Sequence, residues 1–303
     1  MEPIKRDTHD IYPFISATGR LAGSTKGKTV IVTGGGKGVG KAITRQFALA
    51  GANLILITGR DQAALDATAA EVQKEAPDCK IIGVAADVSH DDAPDKVFAA
   101  VPAGVIVDVL VNNAGVNSCV MLVADSEPGA WWRDWEVNVK ATYLFTRAYL
   151  KSLNGDAGVI VNVTTCVADM IVPYMTAYGG SKMAINRFTQ MVQAEYGAQG
   201  VRCVCVHPGG IESTGIGQAA PEQFKGTLLD TVDLAAGTVL YLSTPEASYL
   251  DGRMVLADWN MEKVQKIKDE IVRDDLLVSK INYGSSLKFF EIVGLPEGKR
   301  LVN

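Results

Sequence analysis

Residues 28–50 read KTVIVTGGGKGVGKAITRQFALA, and this stretch decides the fold. A β-rich run passes directly into a glycine-rich turn, and a helical pattern follows that turn. Gly34 permits the tight turn, Gly38 lets the backbone approach a pyrophosphate, and Gly40 lets helix and strand pack closely. The start of the helix offers free N–H groups and a partial positive charge to phosphates. The stretch therefore predicts a dinucleotide-binding site at the end of the first strand.

The order of residues in this turn excludes a P-loop. A P-loop requires Gly-Lys followed by Ser or Thr, whereas here Gly38 follows Lys37. A glycine-rich turn alone is weak evidence, because many α/β proteins contain one. The strand before it, the helix after it and the motifs further along the chain make the prediction specific.

Short β-rich runs recur along the chain and alternate with helical segments. The strand candidates are residues 28–34, 53–58, 80–87, 107–115, 158–164, 201–209 and 252–258. Several are continuous apolar runs, which is typical of parallel strands covered by helices on both faces. Such alternation predicts right-handed βαβ units. We therefore expect an α/β fold with a single doubly wound Rossmann domain and a mostly parallel seven-stranded sheet.

Helix-end signals lie at several of the boundaries. Asp61 is the predicted N-cap of a helix that Pro77 ends, and Gly51 is predicted to close the helix that begins after Gly40. Asn260 is the predicted N-cap of an amphipathic helix near the C-terminus. Its apolar stripe consists of Met261, Val264, Ile267 and Ile271.

The chain divides into three segments. Residues 1–27 are expected to form an irregular N-terminal arm, residues 28–258 the Rossmann domain, and residues 259–303 a C-terminal extension. The extension contains LKFFEIVGLP, which is apolar enough to require a docking surface. That surface is expected on the same domain; the active site and a neighbouring subunit are the alternatives.

Composition excludes several classes of protein. The 303 residues are 48% hydrophobic and 21% charged, as in a folded globular protein. The 29 basic and 34 acidic residues give a net charge of −5, so no basic field favours nucleic acid. No apolar run resembles a secretory leader or approaches the roughly 18 residues of a membrane span. We expect a cytoplasmic protein.

Metal-binding and disulfide patterns are also missing from the sequence. The five cysteines form no CxxC pair, and the three histidines have no metal-ligand spacing. Free thiols and no metal site are the expectation.

The end of the second strand indicates which dinucleotide is bound. A NAD site usually has Asp or Glu there for the ribose 2′-hydroxyl, but this chain has Thr58, Gly59 and Arg60. Arg60 and Lys37 could both bind a 2′-phosphate through charge-assisted hydrogen bonds. NADP(H) is therefore predicted in preference to NAD, although the neighbouring Asp61 argues mildly against it.

Six motifs in sequence resemble those of the short-chain dehydrogenase/reductase superfamily. They are TGGGKGVG (33–40), ADV (86–88), NNAG (112–115), EVNVKA (136–141), YGGSK (178–182) and HPGGI (207–211). A lone Tyr-x-x-x-Lys is common by chance, whereas six motifs in order are specific. The resemblance covers about residues 28 to 258. The arm and the tail resemble those of fungal members that serve secondary metabolism.

The chemistry of Tyr178 and Lys182 can be argued from the residues themselves. Reducing a ketone needs a hydride donor and an acid that protonates the developing alkoxide. Tyrosine is a poor acid-base group near neutrality, since its reference pKa is about 10. Lys182 is predicted on the same helix face as Tyr178, where its ammonium favours the phenolate. The resemblance further implies that Lys182 binds the nicotinamide ribose, and that Asn138 holds a water connecting Lys182 to solvent.

One catalytic position departs from the family. The family serine 13 residues before the tyrosine is replaced by Thr165. Threonine keeps a hydroxyl for the substrate carbonyl but adds a methyl group that restricts χ1. Thr164 is the alternative, although strand alternation points it the other way. Cys166 is expected to form a pocket wall, not a nucleophile.

The resemblance implies the remaining cofactor contacts. Asp87 matches the position that meets the adenine amino group, and Asn113–Gly115 form the turn beneath the adenine ribose. Pro208 and Gly209 begin the loop over the nicotinamide; Ile211 and Ser213 match the carboxamide contacts, with Thr214 as the rival. The full predicted set is Gly34, Lys37, Gly38, Val39, Gly40, Arg60, Asp87, Val88, Asn113, Ala114, Gly115, Tyr178, Lys182, Pro208, Gly209, Ile211 and Ser213.

The substrate pocket is expected to be largely apolar. Its predicted lining comprises the loop 211–230 and Val116, Asn117, Ser118, Val167, Met170, Ile171, Pro173 and Tyr174. None of these named residues is a Lys or Arg that would clamp an anion. We predict a carbonyl reductase or secondary-alcohol dehydrogenase for an uncharged, fairly hydrophobic small molecule.

Two alternatives use the same scaffold. One is non-redox isomerisation, dehydration or cyclisation with bound NADP(H), and the departure at Thr165 favours it. The other is a protein that senses NADPH. The presence of Tyr178, Lys182 and Asn138 argues against both. The resemblance also implies a homodimer or homotetramer built on two long helices near 129–152 and 176–197.

Overall fold

Seven parallel strands form one sheet in the computed structural model, which describes residues 4–220 and 226–280. The strands are β1 Thr29–Thr33, β2 Leu54–Gly59, β3 Lys80–Ala85, β4 Val109–Asn112, β5 Gly158–Val163, β6 Val201–His207 and β7 Met254–Leu256. Six lie within the runs that the sequence predicts, and β2 extends one residue beyond its predicted run, to Gly59. The predicted stretch LKFFEIVGLP (287–296) lies outside the described residues.

The strand order is β3-β2-β1-β4-β5-β6-β7, and every pairing is parallel. The order reverses between β1 and β4, so the crevice at their carboxyl ends is the topological switch point where ligands bind in such sheets. The predicted doubly wound Rossmann fold is confirmed, and the sheet is wholly parallel.

Helices cover both faces of the sheet. They are α1 Gly38–Leu49, α2 Gln62–Glu75, α3 Ala93–Ala99, α4 Pro128–Trp135, α5 Ala141–Leu153, α6 Thr176–Tyr196, α7 Gly215–Gln218, α8 Val232–Leu242, α9 Met261–Lys266 and α10 Lys268–Arg273. Strand alternation divides the core in two: Val30 and Val32 pack with α1 and α8, whereas Ile31 packs with α3 and α5. All three side chains are fully buried.

The cap predicted for α2 is present, and the start predicted for α1 is wrong by a few residues. The Asp61 carboxylate accepts from the Ala64 N–H at 3.2 Å. Helix α1 begins at Gly38, because the Lys41 N–H already donates to the Lys37 carbonyl at 3.2 Å. The N–H groups before Lys41 therefore lie at the helix start without partners inside the helix. Gly51 follows the helix end with φ 99°.

The single amphipathic helix predicted after Asn260 is broken at Ile267 into α9 and α10. The Ile267 N–H donates to the Val264 carbonyl three residues back, which tightens the last turn and ends α9. Asn260 caps α9 as predicted, with the Lys263 N–H donating at 3.2 Å. The predicted stripe faces the core in spite of the break, since Met261, Val264 and Ile271 are fully buried.

The N-terminal arm packs against the same core. Ile15 and Leu21 are buried in the cluster that holds α1, α8 and the C-terminal helices. The Tyr12 hydroxyl accepts from the Met261 N–H at 2.6 Å, which connects the arm to α9. In the described ranges, no helix is both long enough and apolar enough to cross a membrane.

Candidate active site

The glycine turn has the backbone geometry that the sequence requires. Gly34 and Gly38 have φ of 71° and 54°, a region that disfavours side chains. The Gly34 N–H donates to the Thr58 carbonyl at 2.7 Å, so the turn is fastened to the end of β2. A Cβ on Gly40 would collide with the Gly34 carbonyl. The turn and the start of α1 therefore lie closer together than any residue larger than glycine allows.

Two cations lie at this end of the crevice. Lys37 precedes α1 and Arg60 follows β2, and both are exposed. Thr33 pairs with Thr58 in the sheet, which brings the two strand ends to the same edge. Within residues 4–220 and 226–280, neither cation forms an ion pair. Both charges are therefore available to an anion.

Asp87 lies in a charged network that the sequence did not predict. Arg133 of α4 donates to its Oδ2 at 2.8 Å, and the Ser89 hydroxyl donates to its Oδ1 at 2.7 Å. Partial burial opposes ionisation, but these donors outweigh it and lower the pKa of Asp87 to about 2. Asp87 is thus a fixed carboxylate, and the adjoining Val88 is buried. The only signal for Arg133 was its place in the tryptophan-rich AWWRDW.

The NNAG turn is fastened to the end of β1. The Asn113 side-chain amide donates to the Thr33 carbonyl at 2.8 Å, and its backbone N–H donates to the Thr33 hydroxyl at 3.0 Å. The Ala114 N–H shares that hydroxyl at 3.0 Å. Gly115 comes next and lies beside the Lys182 ammonium: a Cβ there would be 3.2 Å from Nζ. The turn therefore joins the glycine end of the crevice to the Lys182 end.

Asn138 is fully buried in a π-helical turn, Glu136–Lys140, between α4 and α5. Its amide N–H donates to the Val116 carbonyl and to the Ser181 hydroxyl, both at 3.0 Å. Its amide oxygen accepts from the Val116 N–H at 2.9 Å. The side chain thus holds the loop after NNAG against α6. Ser181, inside the YGGSK motif, is a second residue of the site whose contact the sequence did not predict.

Tyr178 and Lys182 lie one turn apart on α6 and are both buried, with 6% and 3% exposure. The Lys182 ammonium donates to the Val163 carbonyl at the end of β5, at 2.8 Å. Burial lowers the pKa of Lys182 to about 8. Burial also raises the pKa of Tyr178, against a smaller opposing effect of its hydrogen bond to Thr165. The expectation that Lys182 lowers the Tyr178 pKa is therefore not met in the protein alone, where burial dominates.

Thr165 meets Tyr178, and Thr164 does not. The Thr165 side chain lies close enough to the Tyr178 phenol to oppose the rise in its pKa, and its hydroxyl accepts from the Val167 N–H at 3.3 Å. The Thr164 hydroxyl instead donates to the Lys182 carbonyl at 3.3 Å. Strand alternation predicts this division. Cys166 is half-buried, and burial raises its thiol pKa, as suits a wall residue.

The loop after β6 carries the other predicted contacts. Gly209 has φ 100°, and the next residue, Gly210, donates its N–H to the Asp230 carboxylate at 2.6 Å. Ile211 is buried and pairs with Leu229 in an isolated antiparallel bridge. Pro208 is half-buried, Ser213 is exposed, and Thr214 caps α7 by accepting from the Gly217 N–H at 3.0 Å. Residues 221–225 of the predicted loop lie outside the described ranges.

The predicted pocket residues next to Thr165 are apolar and accessible. Met170 is 52% exposed, Ile171 is fully exposed, and Tyr174 is exposed with a positive φ of 69°. Across the crevice, the Asn117 amide atoms are buried and have no partner within the described part of the chain. The described part of the chain also contains no group of three His, Cys, Asp or Glu side chains that could hold a metal ion.

A family model and individual proteins match this chain. The family model for short chain dehydrogenase matches residues 28–224. A short chain dehydrogenase from Monascus purpureus is 34% identical over 285 residues, covering 92% of this chain and 96% of that protein. Another from Monascus ruber is 33% identical over 282 residues, covering 91% and 92%.

Solved structures match as well. A structure described as a putative NAD(P) dependent gluconate 5-dehydrogenase from Beutenbergia cavernae, with bound NADP at low occupancy, is 25% identical with a TM-score of 0.70. The match covers 79% of this chain and 98% of that one. A putative short chain dehydrogenase from Pseudomonas syringae, 23% identical with a TM-score of 0.71, covers 82% and 98% and shares the fold.

Proposed function

The chain belongs to the short-chain dehydrogenase family, and on that premise we propose that it is an NADP(H)-dependent carbonyl reductase or secondary-alcohol dehydrogenase. Family membership makes it an oxidoreductase that uses a nicotinamide cofactor on a small molecule. The observation that carries the finer proposal is the buried contact between Tyr178 and Thr165, one helical turn from Lys182. The remaining steps concern the cofactor, the proton and the substrate.

The residues present fit a dinucleotide. A Cβ on Gly40 would collide with the Gly34 carbonyl, so the turn packs directly against the start of α1, as a dinucleotide-binding turn requires. The N–H groups at the start of α1 and the helix dipole would hold the pyrophosphate. Asp87 is ionised and oriented by Arg133, and an acceptor of this kind would suit the adenine amino group.

The cations at the same end favour NADP(H). Lys37 and Arg60 are exposed and form no ion pair within the described ranges, so both are available to a 2′-phosphate. In LITGRD (56–61), β2 ends at Gly59 and Arg60 follows it, so no carboxylate lies directly at the strand end, where it would repel that phosphate. The Beutenbergia cavernae protein, whose structure has bound NADP, shows that this fold accommodates the phosphorylated cofactor.

Tyr178 is the proposed acid in reduction and the base in oxidation. When bound, the nicotinamide supplies the hydride. Tyr178 donates its phenolic proton to the developing alkoxide, and Thr165 orients the substrate oxygen by hydrogen bonding. The buried phenol is protonated at neutral pH, which is the state that reduction needs. Lys182 stabilises the phenolate that remains and binds the nicotinamide ribose.

Proton return to Tyr178 is proposed to pass by Lys182 and a water near Asn138. The Asn138 side-chain amide is largely engaged, because its N–H groups bond Val116 and Ser181 and its oxygen accepts from the Val116 N–H. Its side-chain oxygen and its main-chain carbonyl, which receives the Thr142 hydroxyl at 2.8 Å, are the acceptors that Asn138 offers to a water. An oxygen of either kind has two lone pairs, so it can accept a water as well.

The substrate is proposed to be uncharged and fairly hydrophobic. Met170, Ile171 and Tyr174 present apolar surface beside Thr165. A substrate anion would meet no counter-ion on these side chains, and its desolvation would be costly. The fungal relatives support a place for this reaction in secondary metabolism. A cytoplasmic location is part of the proposal.

We also propose a homodimer or homotetramer through α4, α5 and α6. Trp132, Tyr143 and Met191 on these helices are 60%, 48% and 55% exposed. The neighbouring Trp131 and Trp135 rings are stacked with centroids 5.6 Å apart. Large exposed apolar and aromatic side chains on adjoining helices are typical of a subunit contact.

The test is consumption of NADPH with a panel of neutral ketones and matched anionic ones. NADPH should be oxidised in the presence of neutral ketones. In Tyr178→Phe the rate of this oxidation should fall by about 10³-fold, whereas NADPH binding should be retained. Tyr143→Phe is the matched control, since that exposed phenol on α5 is neither in the proposed proton path nor among the proposed pocket residues. Turnover of a ligand without transient cofactor oxidation would instead favour the isomerase class. A preference for anionic substrates would overturn the substrate class.

A further inference from the structure

Residues 6–10 of the arm, here called the strap, lie across the carboxyl ends of β6 and β7. Arg6 forms an isolated antiparallel bridge with Trp259, and the Thr8 N–H donates to the Asp258 carbonyl at 3.2 Å. On the other side, the Thr231 N–H donates to the His9 carbonyl at 3.0 Å. The strap is therefore hydrogen-bonded to the segments that follow β7 and the β6 loop.

The strap brings two partners to two buried carboxylates. The Arg6 guanidinium binds Asp258 at 2.5 Å, and the His9 ring binds Asp230 at 2.7 Å. The side chains of Asp258 and Asp230 are only 4% and 5% exposed. Charges buried to this extent need a partner, since a buried carboxylate without one is strongly destabilised. Both partners come from the strap.

Asp230 is in direct contact with residues 207–211, here called the nicotinamide loop. Its second carboxylate oxygen accepts from the Gly210 N–H at 2.6 Å. A Cβ on Gly209 would lie 2.6 Å from the same carboxylate, so the loop and Asp230 are packed as closely as glycine permits. His9 thus acts on the loop through one intervening carboxylate.

Arg6 contacts the start of the same loop. Its Nη2 lies 3.4 Å from His207 Nε2, and because arginine can only donate, that ring nitrogen is the acceptor. The ring proton is then on Nδ1. Burial, together with the nearby Arg6, lowers the pKa of His207 to about 3, so the ring is neutral. Arg6 is also near enough to Cys166, one residue after Thr165, to act against the rise in its thiol pKa.

We propose that Arg6 is a positioning residue for cofactor binding, and that the strap holds the nicotinamide loop in its binding conformation. The inference rests on the proposed function, since it assigns that loop to the nicotinamide. Arg6 neutralises Asp258, contacts His207 at the loop's first residue and reaches Cys166 beside Thr165. A single side chain from the arm thereby connects the loops after β5, β6 and β7. A parallel sheet does not by itself require such a connection between its loops.

The experiment compares Arg6→Ala with Arg6→Lys and with the double variant Arg6→Ala, Asp258→Asn. Arg6→Ala is expected to raise the KM and the Kd for NADPH by roughly 10-fold, with kcat within about 3-fold of wild type, because Asp258 is left buried without its counter-ion. Arg6→Lys restores the charge and is expected to return to within about 3-fold of the wild-type KM. The double variant removes the uncompensated carboxylate but not the lost contact to His207, so it is expected to recover only part of the wild-type KM.

Arg20→Ala is the matched control. Arg20 also belongs to the arm and pairs with Glu246 at 2.5 Å, far from the nicotinamide loop. The Arg20→Ala variant should leave the KM for NADPH unchanged. Hydrogen exchange at residues 207–211 gives a readout that needs no substrate, and Arg6→Ala is expected to increase it.

Two outcomes overturn the inference. One is a wild-type KM in Arg6→Ala with unchanged exchange at 207–211; the other is a KM defect of equal size in Arg20→Ala, which would indicate a merely structural arm. A wild-type protein that binds no dinucleotide, yet shows faster loop exchange in Arg6→Ala, overturns the proposed function and leaves the strap contact standing.

Discussion

At the glycine-turn end of the crevice, Lys37 and Arg60 are exposed to water, whereas at the other end Tyr178 and Lys182 are no more than 6% exposed. Water screens the first pair, so their charges contribute modestly to binding. The second pair has lost its hydration, and burial alone lowers the Lys182 pKa to about 8 and raises that of Tyr178.

This difference separates recognition from chemistry. Exposed cations can discriminate between cofactors at little cost to folding, and each contributes a small, salt-dependent free energy. A buried ammonium is costly to the fold and is kept in place by one carbonyl, that of Val163. We therefore expect changes at the buried end to affect rate strongly, and changes at the exposed end to affect cofactor choice weakly.

After Tyr178→Phe, the largest effect is expected from Lys182→Met, which removes the charge while preserving most of the side-chain volume. The kcat/KM for ketone reduction should fall by about 10²- to 10³-fold, because the phenolate loses its stabilising charge. Steady-state kinetics with NADPH measure it. Lys140→Met, which removes an exposed lysine paired with Asp91, is the control and should change the rate less than about 2-fold. A loss in Lys182→Met no larger than in the control would contradict the division between the two ends.

Thr165 gives the next largest effect at the buried end. Thr165→Val keeps the shape but removes the hydroxyl, and kcat/KM should fall by about 10- to 100-fold as the substrate oxygen loses a hydrogen bond. Thr165→Ser should stay within about 3-fold of wild type. Thr164→Val tests the alternative hydroxyl; a greater loss there than in Thr165→Val would reverse the assignment.

The pH dependence should reflect the buried lysine. Burial makes the Lys182 pKa lower than usual, about 8, so the ammonium is present below that pH and is lost above it. The kcat/KM for NADPH, which reports on the free enzyme, should therefore fall above about pH 8, by up to tenfold per pH unit. A profile that stays flat from about pH 7 to 10 would show that this charge does not matter in the free enzyme.

The smallest effects are expected at the exposed end. Lys37→Ala and Arg60→Ala should each lower the preference for NADPH over NADH by about 3- to 10-fold, since each removes one screened contact to the 2′-phosphate. Raising the ionic strength should lower the wild-type preference in the same direction. An unchanged preference in the double variant would exclude both cations as the source of cofactor choice.

Sequence patterns predicted the fold closely where the signal was local. All seven strands and the Asp61 and Asn260 caps lie where periodicity and capping chemistry placed them. The two errors, at the start of α1 and at Ile267, each depend on a single hydrogen bond that shifts or ends a helix. Helix propensities do not predict a single bond of that kind. The candidate site was predictable as a set of motifs, because each motif is short and its spacing is regular.

Side-chain partners were not predictable, because they come from distant parts of the chain. Arg133 orients Asp87 from 46 positions away, and Arg6 meets Asp258 from 252 positions away. The Asn138 amide is spent on Val116 and Ser181, which no motif records. Each of these contacts depends on which strand ends the sheet order brings together.

The sequence by itself determined the parallel α/β sheet, the glycine turn and the one-turn spacing of Tyr178 and Lys182, because these follow from local periodicity and from steric limits on single residues. Only the tertiary structure decided how deeply that pair is buried, which threonine faces the phenol, and that the arm returns to the carboxyl edge of the sheet. The physical reason is that pKa values and buried ion pairs depend on desolvation, which the packing of distant segments creates.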